Sequence, residues 1–340
     1  MSERAADGLD EFEIIAKHFV PLAKSGATVE TFSLQDDAAT ITSRPGKRLV
    51  VTADSIVAGV HFFGDEPAGE IAQKALRTNL SDLAGKAARP IGYTLSLHLP
   101  ASIDDAWLTA FAAGLAADQT QFDITLLGGD TTRANQLIVA ITAIGEIDAI
   151  YHARRDALPN DDIWVSGTIG DAALGLKLYD GTLAMEGQGA EHLQRRYRLP
   201  EPRFELAEIL NAYANASMDV SDGLLTDLGK LCKASKLQAQ ILAADIPVSD
   251  AARQAIGQLD QALELSSGLH PVMFGGDDYE ILFTADPKAQ RHIAEKAQGL
   301  PFRLTRIGHV SDLEGLGEVL LIDGAGNSVQ LAGTGHTHRI

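Results

Sequence analysis

Hydrophobic positions recur along this chain of 340 residues with two different periods. Apolar residues fall at helical spacing over 9–23, and Ala- and Leu-rich stretches of the same kind cover 66–88 and 103–117. Shorter runs between these stretches alternate or are continuously apolar, as strands do. The pattern therefore predicts a first half in which helices and strands follow one another. Its predicted strands are 48–52, 92–99, 124–127 and 137–144.

A polar, turn-rich stretch near 148–160 separates this half from a second one with the same alternation. Because helices and strands alternate in both halves, the fold class is predicted to be α/β or α+β. The length exceeds that of a typical single core, so two domains are expected, at 1–148 and 149–340. Helices are predicted near 171–179, 202–214, 223–235 and 287–298, and strands near 163–167, 216–220, 238–244, 279–284, 302–310 and 318–323.

Acidic residues outnumber basic ones: Asp and Glu number 46 and Lys and Arg 28, for a formal net charge of −18 at pH 7. Nucleic-acid binding relies on cationic side chains that neutralise phosphates, so this balance argues against a nucleic-acid partner. It argues equally against an anionic membrane surface. A phosphorylated substrate would be repelled by such a chain unless cations such as Mg²⁺ intervene.

Cysteine content and the apolar runs bear on the compartment. Cys232 is the only cysteine, which excludes an intrachain disulfide and a multi-thiolate zinc site. The first residues are polar, without the apolar stretch of a signal peptide. No run approaches the roughly 18 apolar residues of a membrane span. We therefore expect a soluble, cytoplasmic protein.

Acidic residues also cluster beside Gly, Ser, Thr or Ala, at predicted turns and strand ends. Mg²⁺ takes only one or two carboxylates and shares its other positions with water and phosphate. Carboxylates supplied singly from separate loops therefore indicate several Mg²⁺ ions on a polyphosphate rather than one closed cage. Any single cluster alone is more typical of a turn or a helix cap. The clusters lie at 36–37, 54, 82, 128–130, 219–223, 227 and 275–278.

Familiar phosphate and metal motifs are absent from the sequence. It contains no Gly-x-x-x-x-Gly-Lys-Ser/Thr loop, no Gly-x-Gly-x-x-Gly after a strand and no His-Glu-x-x-His helix. Nothing in it matches the catalytic loop of protein kinases. A phosphoryl-transfer function would therefore require a less common scaffold.

Six segments, taken in order, resemble the thiamine-monophosphate kinase family. The resemblance extends over about residues 11–310, and the motifs are specific as a set although not singly. The segments are Asp36-Asp37-Ala38-Ala39, the run from Val51 to Phe62, Asn79-Leu80-Ser81-Asp82-Leu83-Ala84, Leu127-Gly128-Gly129-Asp130-Thr131-Thr132, the run from Met218 to Leu224, and Gly275-Gly276-Asp277-Asp278-Tyr279-Glu280.

The resemblance implies a reaction and a fold. The family transfers the γ-phosphoryl group of ATP to thiamine monophosphate, with Mg²⁺, and gives thiamine diphosphate and ADP. Its fold is that of aminoimidazole-ribonucleotide synthetase: an N-terminal α/β domain that forms a homodimer through its sheet, and a C-terminal α/β domain packed against it. ATP and metals are expected in the cleft between the domains.

The resemblance also implies roles for individual positions, with Asp54 and Asp130 expected to be catalytic. Asp36 is an alternative to Asp37. ATP contacts are implied for Gly129, Asp130, Arg154 and Ser221, and thiamine-phosphate contacts for His61 and Asp277. Metal contacts are implied for Asp37, Thr52, the backbone of Ala53, Asp54, Asp82, Asp130, Asp219 and Asp222.

These roles agree with the chemistry of the residues, although each residue type has an ordinary structural use as well. Arg154 offers a planar cationic fork for phosphate oxygens, or it solvates the linker. Asp277 carries a negative charge suited to the cationic thiazolium, or belongs to a turn. Ser221 is equally a helix cap, and His61 equally a core or surface histidine.

The C-terminal end departs from the family pattern. Members usually carry an aromatic after a Gly, stacked on thiamine, and then a His. Here the matching stretch is Gly333-Thr334-Gly335-His336-Thr337, so Thr334 replaces the aromatic. No Trp, Tyr or Phe follows Phe302.

The acceptor in this reaction is a phosphate oxygen that is already ionised near neutral pH. A general base is therefore unnecessary, and direct in-line transfer without a phosphoenzyme is expected. Two alternatives remain open: another ATP-dependent enzyme of the same fold, such as an aminoimidazole-ribonucleotide or selenophosphate synthetase, and a non-catalytic nucleotide-binding maturation factor.

Overall fold

A computed structural model describes residues 11–148, 150–263, 269–312 and 317–329 of the chain. These residues divide into two compact units. Unit 1 holds residues 11–83 and 88–148, and unit 2 holds the short segment Ala84–Ala87 together with the chain from Ile150 onward.

Unit 1 is built on a mixed sheet with the strand order β3–β6–β4–β5. β4 and β5 run parallel, whereas β6 is antiparallel to both of its neighbours, and β1 and β2 form a separate antiparallel pair. The helices are α1 Glu11–Ile14, α2 Ala68–Gly85 and α3 Asp105–Phe122, and the strands are β1 Val29–Glu30, β2 Thr40–Ile41, β3 Arg48–Val57, β4 Arg89–Leu99, β5 Thr125–Arg133 and β6 Ile138–Ile147.

Helices α2 and α3 pack directly on each other. A side chain at Gly114 would lie 2.2 Å from the carbonyl oxygen of Gly69, so α3 needs glycine at this contact. The buried Arg77 on α2 donates two hydrogen bonds of 2.8 Å to the carboxylate of Asp118 on α3. Separating the two partners would leave an unpaired buried charge, which is strongly destabilising. The pair therefore fixes the position of α2 on α3. That placement matters because α2 carries part of the candidate site.

Unit 2 is built on a second mixed sheet with the order β12–β9–β11–β7–β10–β8. Only the pairing of β12 with β9 is parallel within this described order. The helices are α4 Asp171–Tyr179, α5 Gln188–Arg198, α6 Ala207–Tyr213, α7 Leu224–Ser235, α8 Asp250–Leu263, α9 Leu269–Phe274 and α10 Gln290–Ala297. The strands are β7 Asp162–Ser166, β8 Ala214–Val220, β9 Gln238–Leu242, β10 Glu280–Ala285, β11 Leu304–Ser311 and β12 Val319–Ile322.

Apolar residues from both faces of this second sheet form the cores of unit 2. The larger cluster includes Leu228 and Cys232 of α7, Ile241 of β9 and Leu282 of β10, all without solvent exposure. Burial raises the pKa of the Cys232 thiol to about 12. The cysteine is therefore a packed core residue.

The predicted fold class is confirmed, since helices alternate with mixed sheets in both units. The prediction that Asp54 and Asp130 lie at strand ends is wrong, because β3 continues to Val57 and β5 to Arg133. Pairing with β6 and β4 carries these strands past residues that locally favour turns. Among the described residues, no helix is long and apolar enough to cross a membrane.

Candidate functional site

Strand β3 and helix α2 together hold four polar side chains of unit 1. The hydroxyl of Thr52 on β3 donates a hydrogen bond to the carboxylate of Asp82 on α2. The backbone N–H of Asp54 donates to the side-chain oxygen of Asn79 at 3.1 Å. Asn79 is itself buried and donates to the carbonyl oxygen of Ala75 at 3.0 Å. Helix α2 thereby binds the backbone of β3 at Asp54. Asp54 itself is an exposed residue.

An open cavity of about 390 Å³ lies at the opposite edge strand of the same sheet. Its polar wall includes Asp36, Asp37 and Asp130, which are all exposed residues. The N–H of Asp37 donates to the carboxylate of Asp36 at 2.7 Å, so these neighbours form a turn of their own. Its apolar wall includes Ile15, Phe19, Leu34, Ile41, Leu95, Leu126, Leu127 and Ile144.

The two glycines before Asp130 differ in what a side chain would meet at each position. A side chain at Gly129 would lie 1.8 Å from the carbonyl oxygen of Leu95, so close pairing of β5 with β4 requires glycine there. At Gly128 a side chain would meet nothing within 4 Å. Gly128 therefore leaves space open along the cavity, whereas Gly129 allows the strands to meet.

Asp54 and Asp130 belong to opposite edges of the sheet of unit 1. Across the sheet, Asp54 is registered with Ile141, Ile141 with Leu95, and Leu95 with Gly129. Three strand spacings separate the two edges, which amounts to roughly 14 Å. Within one chain, the sheet therefore does not bring these two carboxylate-bearing positions together.

His61 lies in the tight turn that follows β3. Its backbone N–H donates to the carbonyl oxygen of Val57 at 2.9 Å, and its ring Nδ1 is 3.1 Å from the N–H of Val57. Nδ1 must accept that proton, so the neutral ring carries its own proton on Nε2. The buried Lys74 holds the turn from α2, since its Nζ is 3.2 Å from the carbonyl oxygen of His61.

In unit 2, Asp219 is a buried residue near the end of β8, and the turn between β8 and α7 carries Ser221 and Asp222. The buried carboxylate of Asp227 accepts the backbone N–H groups of Ser221 and Asp222, at 2.9 and 2.8 Å. Lys230 forms ion pairs with Asp222 and Asp227. Burial lowers the pKa of Lys230, but its hydrogen bonds to both carboxylates outweigh this and raise the pKa overall. The ammonium group of Lys230 thus balances the charge of Asp222.

Asp277 lies in the loop from Gly275 to Tyr279, which packs on that turn. The N–H of Asp277 donates to the carbonyl oxygen of Ser221 at 2.9 Å, and a side chain at Gly276 would lie 2.4 Å from the same oxygen. Asp277 has a left-handed backbone, with φ of 68°. This conformation is costly for a residue other than glycine, so the surrounding structure must hold it.

The neighbouring Asp278 is buried and supports the loop. Its carboxylate accepts the backbone N–H groups of Gly170 and Ala172, at 2.8 and 3.3 Å, where α4 begins. Burial raises the pKa of this carboxyl well above its usual range, although both N–H groups work in the other direction. Asp278 therefore serves the fold while Asp277 remains partly exposed.

The remaining predicted positions are less enclosed. Arg154 is exposed at the start of a short 3-10 turn, and its carbonyl oxygen accepts the hydroxyl of Ser235 at 2.7 Å. Ala53 is exposed on β3. Thr334 and His336 lie outside the described residues. Within the part of the chain that the structure describes, no group of three or more His, Cys, Asp or Glu side chains is arranged to hold a metal ion.

The sequence interpretation did not assign Asn79, Lys230 or Asp278 to the site, and it left out Asp227. Asn79 and Asp227 accept backbone N–H groups of predicted site residues, and Lys230 pairs with Asp222. Asp278 instead binds the start of α4 behind Asp277. A signal was available for two of them: Asp227 and Lys230 lie five and eight positions after Asp222, on the first turns of the predicted helix. A polar residue there lies within reach of the preceding turn.

Comparison with known proteins adds an independent finding. The family described as AIR synthase related protein, N-terminal domain, matches residues 35–147. Thiamine-monophosphate kinase of Caulobacter vibrioides is 42% identical over 310 residues, which cover 90% of this chain and 85% of that protein.

Two solved structures extend the similarity to the fold. The crystal structure of thiamine-monophosphate kinase from Stenotrophomonas maltophilia K279a has a TM-score of 0.77 and 40% identity, covering 87% of this chain and 90% of that one. AaThiL complexed with AMPPCP and TMP has a TM-score of 0.75 and 26% identity, covering 87% and 89%.

Proposed function

Because the chain belongs to the thiamine-monophosphate kinase family, we propose that it transfers the γ-phosphoryl group of ATP to thiamine monophosphate. The products are thiamine diphosphate and ADP. The observation that carries the proposal is the family membership over 90% of the chain, with the candidate ligands Asp37, Asp54 and Asp130 on exposed residues. That AaThiL was complexed with AMPPCP and TMP supports the same pair of substrates.

The donor atoms at these positions fit Mg²⁺. They are carboxylate, hydroxyl and backbone oxygens, which are the ligands of hard cations, and they come from separate elements rather than one cage. Asp37, Asp54, Asp82 and Asp130 of unit 1 and Asp219 and Asp222 of unit 2 would hold the ions. Bound Mg²⁺ would neutralise the repulsion between the two phosphorylated substrates.

For ATP, the chain contributes open space beside the backbone and a cationic side chain. Gly128 leaves open space beside Asp130, so that a phosphate can approach the backbone. The exposed guanidinium of Arg154 suits phosphate oxygens, because it donates in a planar fork. The buried Asp227 accepts the backbone N–H of Ser221, which fixes this residue within its turn without help from the substrate.

On the acceptor side, transfer is direct and in line. A phosphate oxygen of thiamine monophosphate is the nucleophile and is ionised near neutral pH, so no covalent relay is needed. His61 is suited to donate a hydrogen bond from Nε2 to the acceptor. It is poorly suited to carry a phosphoryl group, because the lone pair on Nδ1 already accepts the N–H of Val57. Asp277 supplies a negative charge for the thiazolium.

The acting form is proposed to be a homodimer joined through the sheet of unit 1. Val51 is 61% exposed on β3 and is registered opposite Ile144 of β6. An apolar side chain that is open to water on an edge strand favours association with a second copy.

A turnover assay tests the proposed function. ADP release from ATP and Mg²⁺ would be measured alone, with thiamine monophosphate, with formylglycinamidine ribonucleotide and with selenide. We expect ADP release only with thiamine monophosphate, in equal amount to thiamine diphosphate. Turnover only with another acceptor would assign a different enzyme of this fold, and ATP binding without any turnover would assign a binding protein.

Direct transfer is tested with γ-labelled ATP and Mg²⁺ in the absence of acceptor. We expect no label on the protein, and we expect His61→Asn to raise KM for thiamine monophosphate while most of kcat remains. Stoichiometric label on His61 that passes into product at the turnover rate would overturn the direct mechanism.

A further inference from the structure

A buried charge network lies behind the loop that carries Asp277. At its centre is Glu280, the first residue of β10, which is fully buried. Arg203 contacts both oxygens of this carboxylate, with Nε at 2.7 Å from Oε2. The hydroxyl of Ser166 donates to Oε2 at 2.5 Å. One cationic side chain and one neutral hydroxyl therefore already donate to both oxygens of Glu280.

Arg196 of α5 is a second arginine on the same carboxylate. It is 4% exposed, and its Nη2 lies 2.8 Å from Oε1 of Glu280. The same nitrogen donates to the carbonyl oxygen of Asp278 at 3.0 Å. This contact distinguishes it from Arg203, whose contacts are with Glu280, Glu201 and the ring of Phe302. Arg196 therefore adds to the network a hydrogen bond to the backbone of the loop.

The carbonyl that Arg196 holds belongs to the peptide between two residues of constrained conformation. Asp277 has φ of 68° and Tyr279 has φ of 51°, both in the left-handed region. The N–H groups of these residues are held by the carbonyl oxygens of Ser221 and Val220, at 2.9 and 2.8 Å. The loop is thus held on one side through its N–H groups and on the other through the carbonyl of Asp278.

We propose that Arg196 is a positioning residue for the acceptor: it fixes the loop so that Asp277 presents its carboxylate to thiamine monophosphate. The inference rests on the proposed function, because that function gives Asp277 its role. The ATP side has a separate anchor, since Asp227 holds Ser221 and Asp222 from α7. Loss of Arg196 should therefore affect the acceptor and leave the nucleotide largely unaffected.

The test compares Arg196→Gln and Arg196→Lys with Arg203→Lys as the matched control. Arg203→Lys weakens the same buried carboxylate pair without touching the loop carbonyl. We expect Arg196→Gln to raise KM for thiamine monophosphate about tenfold or more, as loss of a charged hydrogen bond does, with KM for ATP changed by less than about threefold. Arg196→Lys, which keeps a cationic donor, should recover part of the loss. Arg203→Lys should lower the melting temperature with KM for thiamine monophosphate unchanged.

Hydrogen–deuterium exchange of the backbone amides of residues 277–280 gives a second readout, which needs only the folded Arg196→Lys protein. Faster exchange there than in wild type, slowed by thiamine monophosphate with AMPPCP, supports the positioning role. Equal KM increases in the Arg196 and Arg203 variants, or unchanged exchange in Arg196→Lys, would overturn it. Wild-type protein that neither binds nor phosphorylates thiamine monophosphate would instead refute the proposed function.

Discussion

Asp130 combines exposure, an open neighbour at Gly128 and a position in the wall of the cavity of unit 1. We predict that Asp130→Asn keeps the fold, because the amide has the same shape, and lowers kcat by at least about 100-fold, because a carboxylate that would hold a phosphate-bound Mg²⁺ ion is lost. Circular dichroism and steady-state rates over a range of Mg²⁺ concentrations check both parts.

Asp123→Asn is the matched control for that variant. Asp123 is exposed at the end of α3 with a left-handed backbone, which asparagine adopts as readily as aspartate. It should keep wild-type kinetics. Rates near wild type for Asp130→Asn at limiting Mg²⁺ would remove Asp130 from the catalytic residues.

A single titrating side chain, His152, provides a test of pH dependence. It is buried in unit 2, and burial lowers its pKa. The charge of Lys86 also lowers this pKa, whereas hydrogen bonds with Ala214 and Asn211 raise it by less. The unfolded chain takes up the proton at about pH 6.5, before the folded chain does. The free energy of unfolding should therefore fall as the pH drops below about 6.5.

Urea unfolding between pH 5 and 8 measures this effect. In a Trp107→Phe background the buried Trp164 reports on unit 2. His152→Gln should flatten the acid side of the profile, whereas the exposed His292→Gln should leave it unchanged. An unchanged slope in His152→Gln would exclude this histidine as the cause.

Among the elements, the turn between β8 and α7 best allows a residue that holds the turn to be distinguished from residues that contact the substrate. We predict that Asp227→Asn raises KM for ATP about tenfold, since one of the acceptor oxygens that hold Ser221 and Asp222 is replaced by a donor. KM for thiamine monophosphate should change much less, because Arg196 and Asp278 hold the neighbouring loop. Initial rates with each substrate varied in turn give both constants, and an unchanged KM for ATP would contradict the anchoring role.

Elements with a strong apolar period were predictable from the sequence, and those built on polar contacts were not. The helices α2, α3 and α7 follow from their Leu and Ala spacing, and the strands of both sheets from their Val and Ile runs. α5 was not predicted, because its buried face is only Ala190, Leu193, Arg196 and Tyr197 among charged neighbours. Its role depends on long-range contacts that no local pattern records.

The site itself was predictable as a set of residues but not as an arrangement. Carboxylates beside small residues indicated cation binding, and the order of the motifs indicated the family. The sequence could not reveal that Asp227 neutralises Lys230 together with Asp222, or that Asp54 lies inside an edge strand, because both depend on tertiary pairing. The position of Thr334 relative to the acceptor stays a prediction.

Association of two chains is the prediction for the assembled protein. Sedimentation should give a mass of twice 36.1 kDa. Val51→Asp should yield monomers, because it places a charge at an exposed apolar position of the edge strand β3. A wild-type chain that sediments as a monomer at micromolar concentration would exclude the dimer.

The proposed dimer would also allow Asp54 and Asp130 to act together, although one sheet keeps them roughly 14 Å apart. If β5 of the partner subunit lies beside β3, Asp130 of the partner subunit reaches the site of Asp54. Mixed dimers of Asp54→Asn and Asp130→Asn, each inactive alone, should then recover about a quarter of wild-type activity, since half of the dimers contain one intact site of two. No recovery would place both residues in sites formed by a single chain.

The buried thiol of Cys232 makes the natural chain a ready background for site-specific labelling. With its pKa near 12 and no exposed surface, it supplies almost no thiolate to a maleimide reagent at neutral pH. Cysteines introduced at exposed positions such as Asp123 in unit 1 and Arg195 in unit 2 would therefore be the only ones to react. Fluorescent donor and acceptor dyes at those two positions would follow, in solution and without further mutation, whether nucleotide changes the distance between the units.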